Sequence, residues 1–85
     1  MNYRIEFVKQ AVKQFKALPN REQQRLKPKI DALAKEPRPT GVVKLSGQDD
    51  LYRIRVGDYR VIYNIEDNQL LILVVKIGHR RDVYR

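Results

Sequence analysis

The chain has 85 residues, enough for one compact domain and too few for two, so any site it carries is assembled within a single core. It has no cysteine and one histidine, His79, which excludes disulfides, thiolate zinc sites, a cysteine nucleophile and the usual histidine-rich metal sites, and no metal or cofactor is expected. Eighteen Lys and Arg against ten Asp and Glu leave a formal net charge of +8, which points to a polyanionic partner, either nucleic acid or an acidic protein. The longest apolar run, Leu70 to Val75, is too short to span a bilayer, and no signal-peptide pattern opens the chain; a soluble, intracellular protein is expected.

The first predicted element is a strand over Asn2 to Phe7, where Tyr3, Ile5 and Phe7 alternate with Arg4 and Glu6. The period then changes. Val8, Ala11, Val12, Phe15 and Leu18 fall on one helical face and Lys9, Lys13 and Lys16 on the opposite one, until Pro19 ends the helix. Asn20, with Gln23 three residues on, has capping-box spacing, and Leu26, Ile30, Leu33 and Ala34 continue a second apolar stripe. Pro28 inside that stripe is expected to kink or split the helix. The two amphipathic stripes form a helical hairpin that buries against a shared sheet. Tyr3, Phe7 and Phe15 belong to the core.

Glu36 to Gly41 and Gly47 to Asp50 read as loops, with Val42 to Leu45 a short extended piece between them. From Leu51 the pattern is all strand: Leu51 to Val56, a Gly57-Asp58 turn, Tyr59 to Glu66, an Asp67-Asn68 turn, and Gln69 to Ile77. Glycine at the first central position of the first turn fits type II′. The expected fold is α+β, a single domain over residues 1–85: an N-terminal strand, a helical hairpin, and a three-stranded antiparallel meander with both helices on one sheet face.

A two-residue loop at Gly57-Asp58 pairs Val56 with Tyr59, Arg55 with Arg60, Ile54 with Val61, Arg53 with Ile62 and Tyr52 with Tyr63. Tyr52, Ile54, Val56, Tyr59, Val61 and Tyr63 then share the face under the helices, and Arg53, Arg55 and Arg60 project from the other. Directly opposed like charges cost up to about 1 kcal/mol, so stability alone does not explain this cluster. The next hairpin sets Val75 opposite Arg60, Leu73 opposite Ile62 and Leu71 opposite Asn64. An arginine cluster over an apolar floor suits a polyanion with stackable bases, and equally an acidic amphipathic segment. The bland alternative is a solvated face whose arginines pair with Asp49, Asp50 or Asp82. In the tail, Gly78 lets the chain turn off the sheet and carry His79, Arg80, Arg81 and Tyr84 back toward the arginines. Such residues can cleave RNA, because an attacking 2′-hydroxyl needs a proton acceptor, the phosphorane needs positive charge and the leaving oxygen needs a proton donor.

Lys44-Leu-Ser-Gly47, Leu51-Tyr-Arg-Ile-Arg-Val-Gly-Asp-Tyr-Arg-Val-Ile-Tyr63 and Ile77-Gly-His-Arg-Arg-Asp-Val-Tyr84 together resemble the RelE/ParE toxin superfamily, and its RelE branch in particular. The resemblance implies a cytoplasmic toxin of a type II toxin-antitoxin pair. Such a toxin is a ribosome-dependent, metal-independent endoribonuclease that cuts messenger RNA in the decoding A site and is restrained by a small RelB-like antitoxin. It further implies that Arg60 and Arg80 stabilise phosphate charge, that Tyr84 activates or orients the 2′-hydroxyl, and that Arg53 and Arg55, with Lys44 and Arg81, bind RNA. Arg53 and Arg55 stand where well-known members carry lysines, and a guanidinium is a poor proton donor, which leaves acid catalysis to His79 or to the ribosome. The chain stops one residue after Tyr84, so control by displacing a C-terminal helix is not expected. The alternatives are a ParE-like gyrase inhibitor and a noncatalytic RNA- or protein-binding module. The rows Lys9, Lys13, Lys16 and Arg21, Arg25, Lys29 read as solvated helix faces, or else as contacts to ribosomal RNA phosphates.

Overall fold

The computed structural model describes residues 2–45, 47 and 50–79. In chain order the elements are strand β1 (Arg4–Phe7), helices α1 (Lys9–Lys16) and α2 (Asn20–Ala32), and strands β2 (Val43–Lys44), β3 (Leu51–Val56), β4 (Tyr59–Glu66) and β5 (Leu71–His79). The strands form one five-stranded sheet in the order β1-β5-β4-β3-β2. β3, β4 and β5 are the expected antiparallel meander, β2 adds to one edge, and β1 runs parallel to β5 at the other. Because β1 is parallel to its neighbour, the chain must cross over before it can return. The helical hairpin makes that crossing and covers one face of the sheet.

Burial follows the alternation read from the sequence. Ala11 of α1, Leu26 and Ile30 of α2, and Leu33 just beyond it cluster with Tyr52, Ile54, Val56, Val61, Tyr63, Ile65, Ile72, Val74 and Ile77. Tyr3, Phe7 and Phe15 pack at the margin of this core, Phe7 and Phe15 edge to face with centroids 6.2 Å apart. In the first hairpin, β3 and β4 pair in the expected register, with Gly57 at φ +61° as a type II′ turn requires. The guanidinium of Arg25 also lies against this turn, and a β-carbon on Gly57 would come within 2.5 Å of its Nη2.

Three expectations change. Asn20 does not cap α2: it lies within the helix, after Pro19. Gln23 reaches back instead, its Nε2 donating to the Leu18 carbonyl at 2.9 Å, so it satisfies the end of the preceding turn. Pro28 neither splits nor ends α2, which runs on to Ala32. Pro28 is exposed while Leu26 and Ile30 on either side are fully buried, and their packing outweighs the missing hydrogen bond.

The second hairpin differs most. Its connection is a 3₁₀ turn over Asp67–Gln69 followed by Leu70 in the left-handed region (φ +50°), not two residues. Pairing therefore slides by two, to Glu66 with Leu71 and Asn64 with Leu73, which leaves the faces unchanged. Between Tyr63↔Val74 and Ile62↔Lys76 the ladder then skips Val75, a β-bulge. The bulge does change the faces: Val74 and Ile77, three residues apart, are both buried in the core. Gly78, not Val75, stands opposite Arg60, and Ile62 faces Lys76, not Leu73.

Candidate nucleic-acid interface

The helix-free face of the sheet carries the arginines. Arg55 and Arg60 are Cα partners and Arg53 is paired with Ile62, so all three side chains leave the sheet on the side away from the core. The two-residue turn makes Val56 and Tyr59 the hydrogen-bonded pair next to it. Arg55 and Arg60 are therefore a non-hydrogen-bonded pair, the kind whose side chains lie closest. Repulsion between them is relieved when an anion lies between them.

Arg60 is the one buried charged residue among the described residues, only 6% exposed, although it projects from the face that the helices leave open. Its Nη1 donates to the Tyr59 carbonyl at 3.3 Å. Across the ladder it meets Gly78, which has no side chain to compete for the space. A guanidinium held in a place of low solvent access interacts more strongly with a phosphate than one waving in water, and its fork can meet two phosphate oxygens at once.

Around the cations the face is partly apolar. Ile62 and Leu73 are half-buried, Leu71 is buried and Val43 is 40% exposed. At the far end Arg4 Nε and Glu6 Oε2 form an ion pair at 2.7 Å, with Glu66 on the same side. The face is thus cationic toward the Gly57-Asp58 turn and of mixed charge toward β1.

Not every sequence-predicted site residue joins the arginines. Lys44 pairs with Tyr52, so the register turns it to the helix side, and its neighbour Val43 takes the arginine side. His79 is not carried back over the arginines by a turn at Gly78. β5 continues through His79, which pairs with Tyr59 and packs edge-on against that ring with centroids 5.6 Å apart, on the helix side of the sheet. Arg80, Arg81 and Tyr84 lie outside the described residues, as do Asp49 and Asp82. Lys76 was missed by sequence reasoning. The bulge places it opposite Ile62, beside Arg60 on the helix-free face.

A polar network fixes the opposite end of the sheet. Tyr3 donates its hydroxyl to Asp67 Oδ1 at 2.6 Å, and Arg38 Nη2 donates to Oδ2 at 3.0 Å. Arg38 Nε also reaches the Tyr52 hydroxyl at 3.2 Å, with its guanidinium 5.2 Å from the centre of that ring. Tyr63, stacked on Tyr52, donates to the Pro37 carbonyl at 2.7 Å. The hydrogen bond from Tyr3 and then that from Arg38 hold the Asp67 carboxyl below its usual range, and the same bond to Asp67 raises the Tyr3 phenol. Burial pushes the Tyr63 phenol up strongly. This network ties the loop around Pro37 to the sheet, and its Tyr52 and Tyr63 point to the helix side, away from Arg53, Arg55 and Arg60. Among the described residues no group of three or more His, Asp or Glu is placed to hold a metal, and no helix is long and apolar enough to cross a membrane.

The sequence matches the family described as the ParE toxin of the type II toxin-antitoxin system parDE over residues 5–84. A Methanocaldococcus jannaschii protein assigned as toxin RelE1 is 31% identical, with 100% of this chain and 98% of the relative covered. The mRNA interferase toxin RelE of Escherichia coli K12 is 29% identical over 94% of this chain and 85% of its own length. Among solved structures, the RelE-RelB complex of Pyrococcus horikoshii superimposes with a TM-score of 0.83 at 39% identity, covering 96% of this chain and 99% of that one. The isolated Escherichia coli RelE toxin superimposes with a TM-score of 0.82 at 29% identity, covering 96% and 90%. With nearly the whole chain matched in both sequence and fold, the protein belongs to the RelE/ParE superfamily of type II toxins, and these similar proteins carry the RelE name.

Proposed function

We propose that this protein is the toxin of a type II toxin-antitoxin pair and an endoribonuclease that cuts messenger RNA in the ribosomal A site, halting translation. The observation that carries the reading is Arg60, buried on the open sheet face with Arg55 directly opposite and Arg53 beside it, a cationic seat for one backbone phosphate. The name of the Escherichia coli relative, an mRNA interferase toxin, supports the same activity.

The chemistry needs no group beyond side chains. The 2′-hydroxyl of one nucleotide attacks its own 3′-phosphorus, the bond to the next nucleotide's 5′-oxygen breaks, and a 2′,3′-cyclic phosphate and a 5′-hydroxyl result. Arg60, joined by Arg80 from the tail, offsets the charge that builds on the phosphorane oxygens. Tyr84 orients or deprotonates the 2′-hydroxyl. Arg53, Arg55 and Arg81 hold flanking phosphates, while Ile62 and Leu73 offer apolar surface to the bases. Lys44 and His79, on the helix side, are assigned to neither task, and His79 instead braces the end of β5 against Tyr59. A RelB-like antitoxin, the partner seen with RelE in the Pyrococcus horikoshii and Escherichia coli complexes, restrains the toxin by covering this cationic face.

The matched family is described as the ParE toxin, and the superfamily resemblance carries a second reading, inhibition of DNA gyrase. One experiment separates the two: purified protein is mixed with ribosomes stalled on a defined message, and the RNA ends are mapped beside naked message. A cut confined to the decoding site and dependent on ribosomes is expected. An intact message, with relaxed DNA accumulating in a gyrase assay, would move the protein to the second reading.

A further inference from the structure

Lys76 is placed by the fold, not by the sequence pattern. The run Leu70 to Val75 is apolar at every position, so it carries no alternation to say which side Lys76 takes. A regular ladder from the expected turn would pair Lys76 with Tyr59, on the helix side. The observed ladder, shifted at the 3₁₀ turn and bulged at Val75, pairs it with Ile62 instead. Two observations confirm the changed parity. Ile77 is buried, 2% exposed, so its neighbour Lys76 must point the other way. The Ile77 N–H is also held from the helix layer, donating to Gln14 Oε1 of α1 at 2.8 Å, which anchors β5 in the shifted register just beyond the bulge.

Lys76 therefore joins Arg53, Arg55 and Arg60 on the helix-free face, directly across from Ile62 and diagonal to Arg60, two residue pairs along. It is half-buried, and at this end of the face it is the one ammonium among three guanidiniums of the described residues. The difference is chemical. A guanidinium keeps its proton at any pH below about 12, whereas an ammonium can give one up within a catalytic cycle. The leaving 5′-oxygen needs such a proton, and His79 stands on the wrong side of the sheet to supply it.

We propose that Lys76 is the general acid of the cleavage, an inference that rests on the endoribonuclease reading above. As the P–O5′ bond breaks, the electron pair goes to the 5′-oxygen and one ammonium proton of Lys76 follows it, giving the 5′-hydroxyl. The lysine is left as a neutral amine and recovers its proton from water. Arg60 next to it holds the phosphorane, so the donor and the charge-stabilising group approach the same phosphate from neighbouring strands.

The test uses the intact protein and ribosomes carrying a message whose scissile linkage has either the natural 5′-oxygen or a bridging 5′-sulfur, which leaves as a thiolate without needing a proton. Single-turnover rates are compared for the wild type, Lys76→Ala and Lys76→Arg. With oxygen, both variants should be slowed by about 100-fold or more. With sulfur, both should approach the wild-type rate, a rescue that neither misfolding nor lost phosphate binding can produce. Equal losses on both linkages, no loss on oxygen, or full activity of Lys76→Arg on oxygen would each overturn the assignment. Wild-type protein that cuts neither message would instead remove the endoribonuclease reading itself.

Discussion

Arg60 and Gly78 are partners across β4 and β5, so the buried arginine of the helix-free face has opposite it the one residue type without a side chain. Filling that space should move the guanidinium without disturbing the core beneath it. Gly78→Leu is expected to fold, with an unchanged circular dichroism spectrum, and to cut ribosome-bound message about 100-fold more slowly, the order of loss that a 1 Å displacement of a catalytic group brings. Wild-type cleavage by the folded variant would show that the room beside Arg60 is immaterial.

His79 packs against Tyr59 on the other side of the sheet. His79→Gln should therefore leave the pH-rate profile of cleavage unchanged. A limb of the profile that disappears in the variant would return the imidazole to the mechanism.

Asp67 links pH to stability. Its carboxyl is held low in the folded protein by Tyr3 and Arg38, so it stabilises the fold fully above the unfolded-state value of about 3.9. That contribution is lost as pH falls through the lower folded value. Thermal melts should therefore show Asp67→Asn less stable than wild type at neutral pH, with the gap closing on acidification below about pH 4. A gap that stays constant down to pH 2 would assign the effect to something other than the ionised carboxylate. Because Tyr52 and Tyr63 of this network point to the helix side, away from Arg53, Arg55 and Arg60, cleavage at neutral pH should hardly change in folded Asp67→Asn.

The Tyr63 hydroxyl has a narrower task. Its ring is fully buried and its hydroxyl donates to the Pro37 carbonyl, so Tyr63→Phe keeps the ring and removes one hydrogen bond. Denaturant unfolding should show a loss of about 1 kcal/mol with the slope of the transition unchanged. No loss would mean that water or a neighbour replaces the bond to the loop.

Most of the architecture was legible because burial is one-sided. The alternation of Tyr52, Ile54 and Val56 with Arg53 and Arg55 fixed both the strand and its faces, and the Gly57-Asp58 turn fixed the register with β4. That register alone brought Arg53, Arg55 and Arg60 together. Legibility failed at β5 for a physical reason. Its first residues are apolar on both sides, so nothing in the pattern betrays a slide of two or a bulge of one, and the face of Lys76 depended on both. The helix cap failed differently. Asn20 has the right side chain for a cap, but Pro19 already sits at the capping position and the helix begins one residue earlier than the motif implies. Lys44 was carried into the binding set by resemblance, and a two-residue strand is too short for its pattern to show that the register turns it away.

We propose that this cationic face cuts a ribosome-bound message through Arg60. The direct measurement is the mapping of RNA ends, with their 3′-terminal chemistry, after purified wild type or Arg60→Ala meets ribosomes stalled on a defined message. Wild type should leave a 2′,3′-cyclic phosphate at the decoding site, and Arg60→Ala should slow the cut by about 100- to 1,000-fold, the cost of removing one donor to the transition state. Undiminished cleavage by Arg60→Ala, or an intact message with active wild-type protein and active ribosomes, would contradict the account.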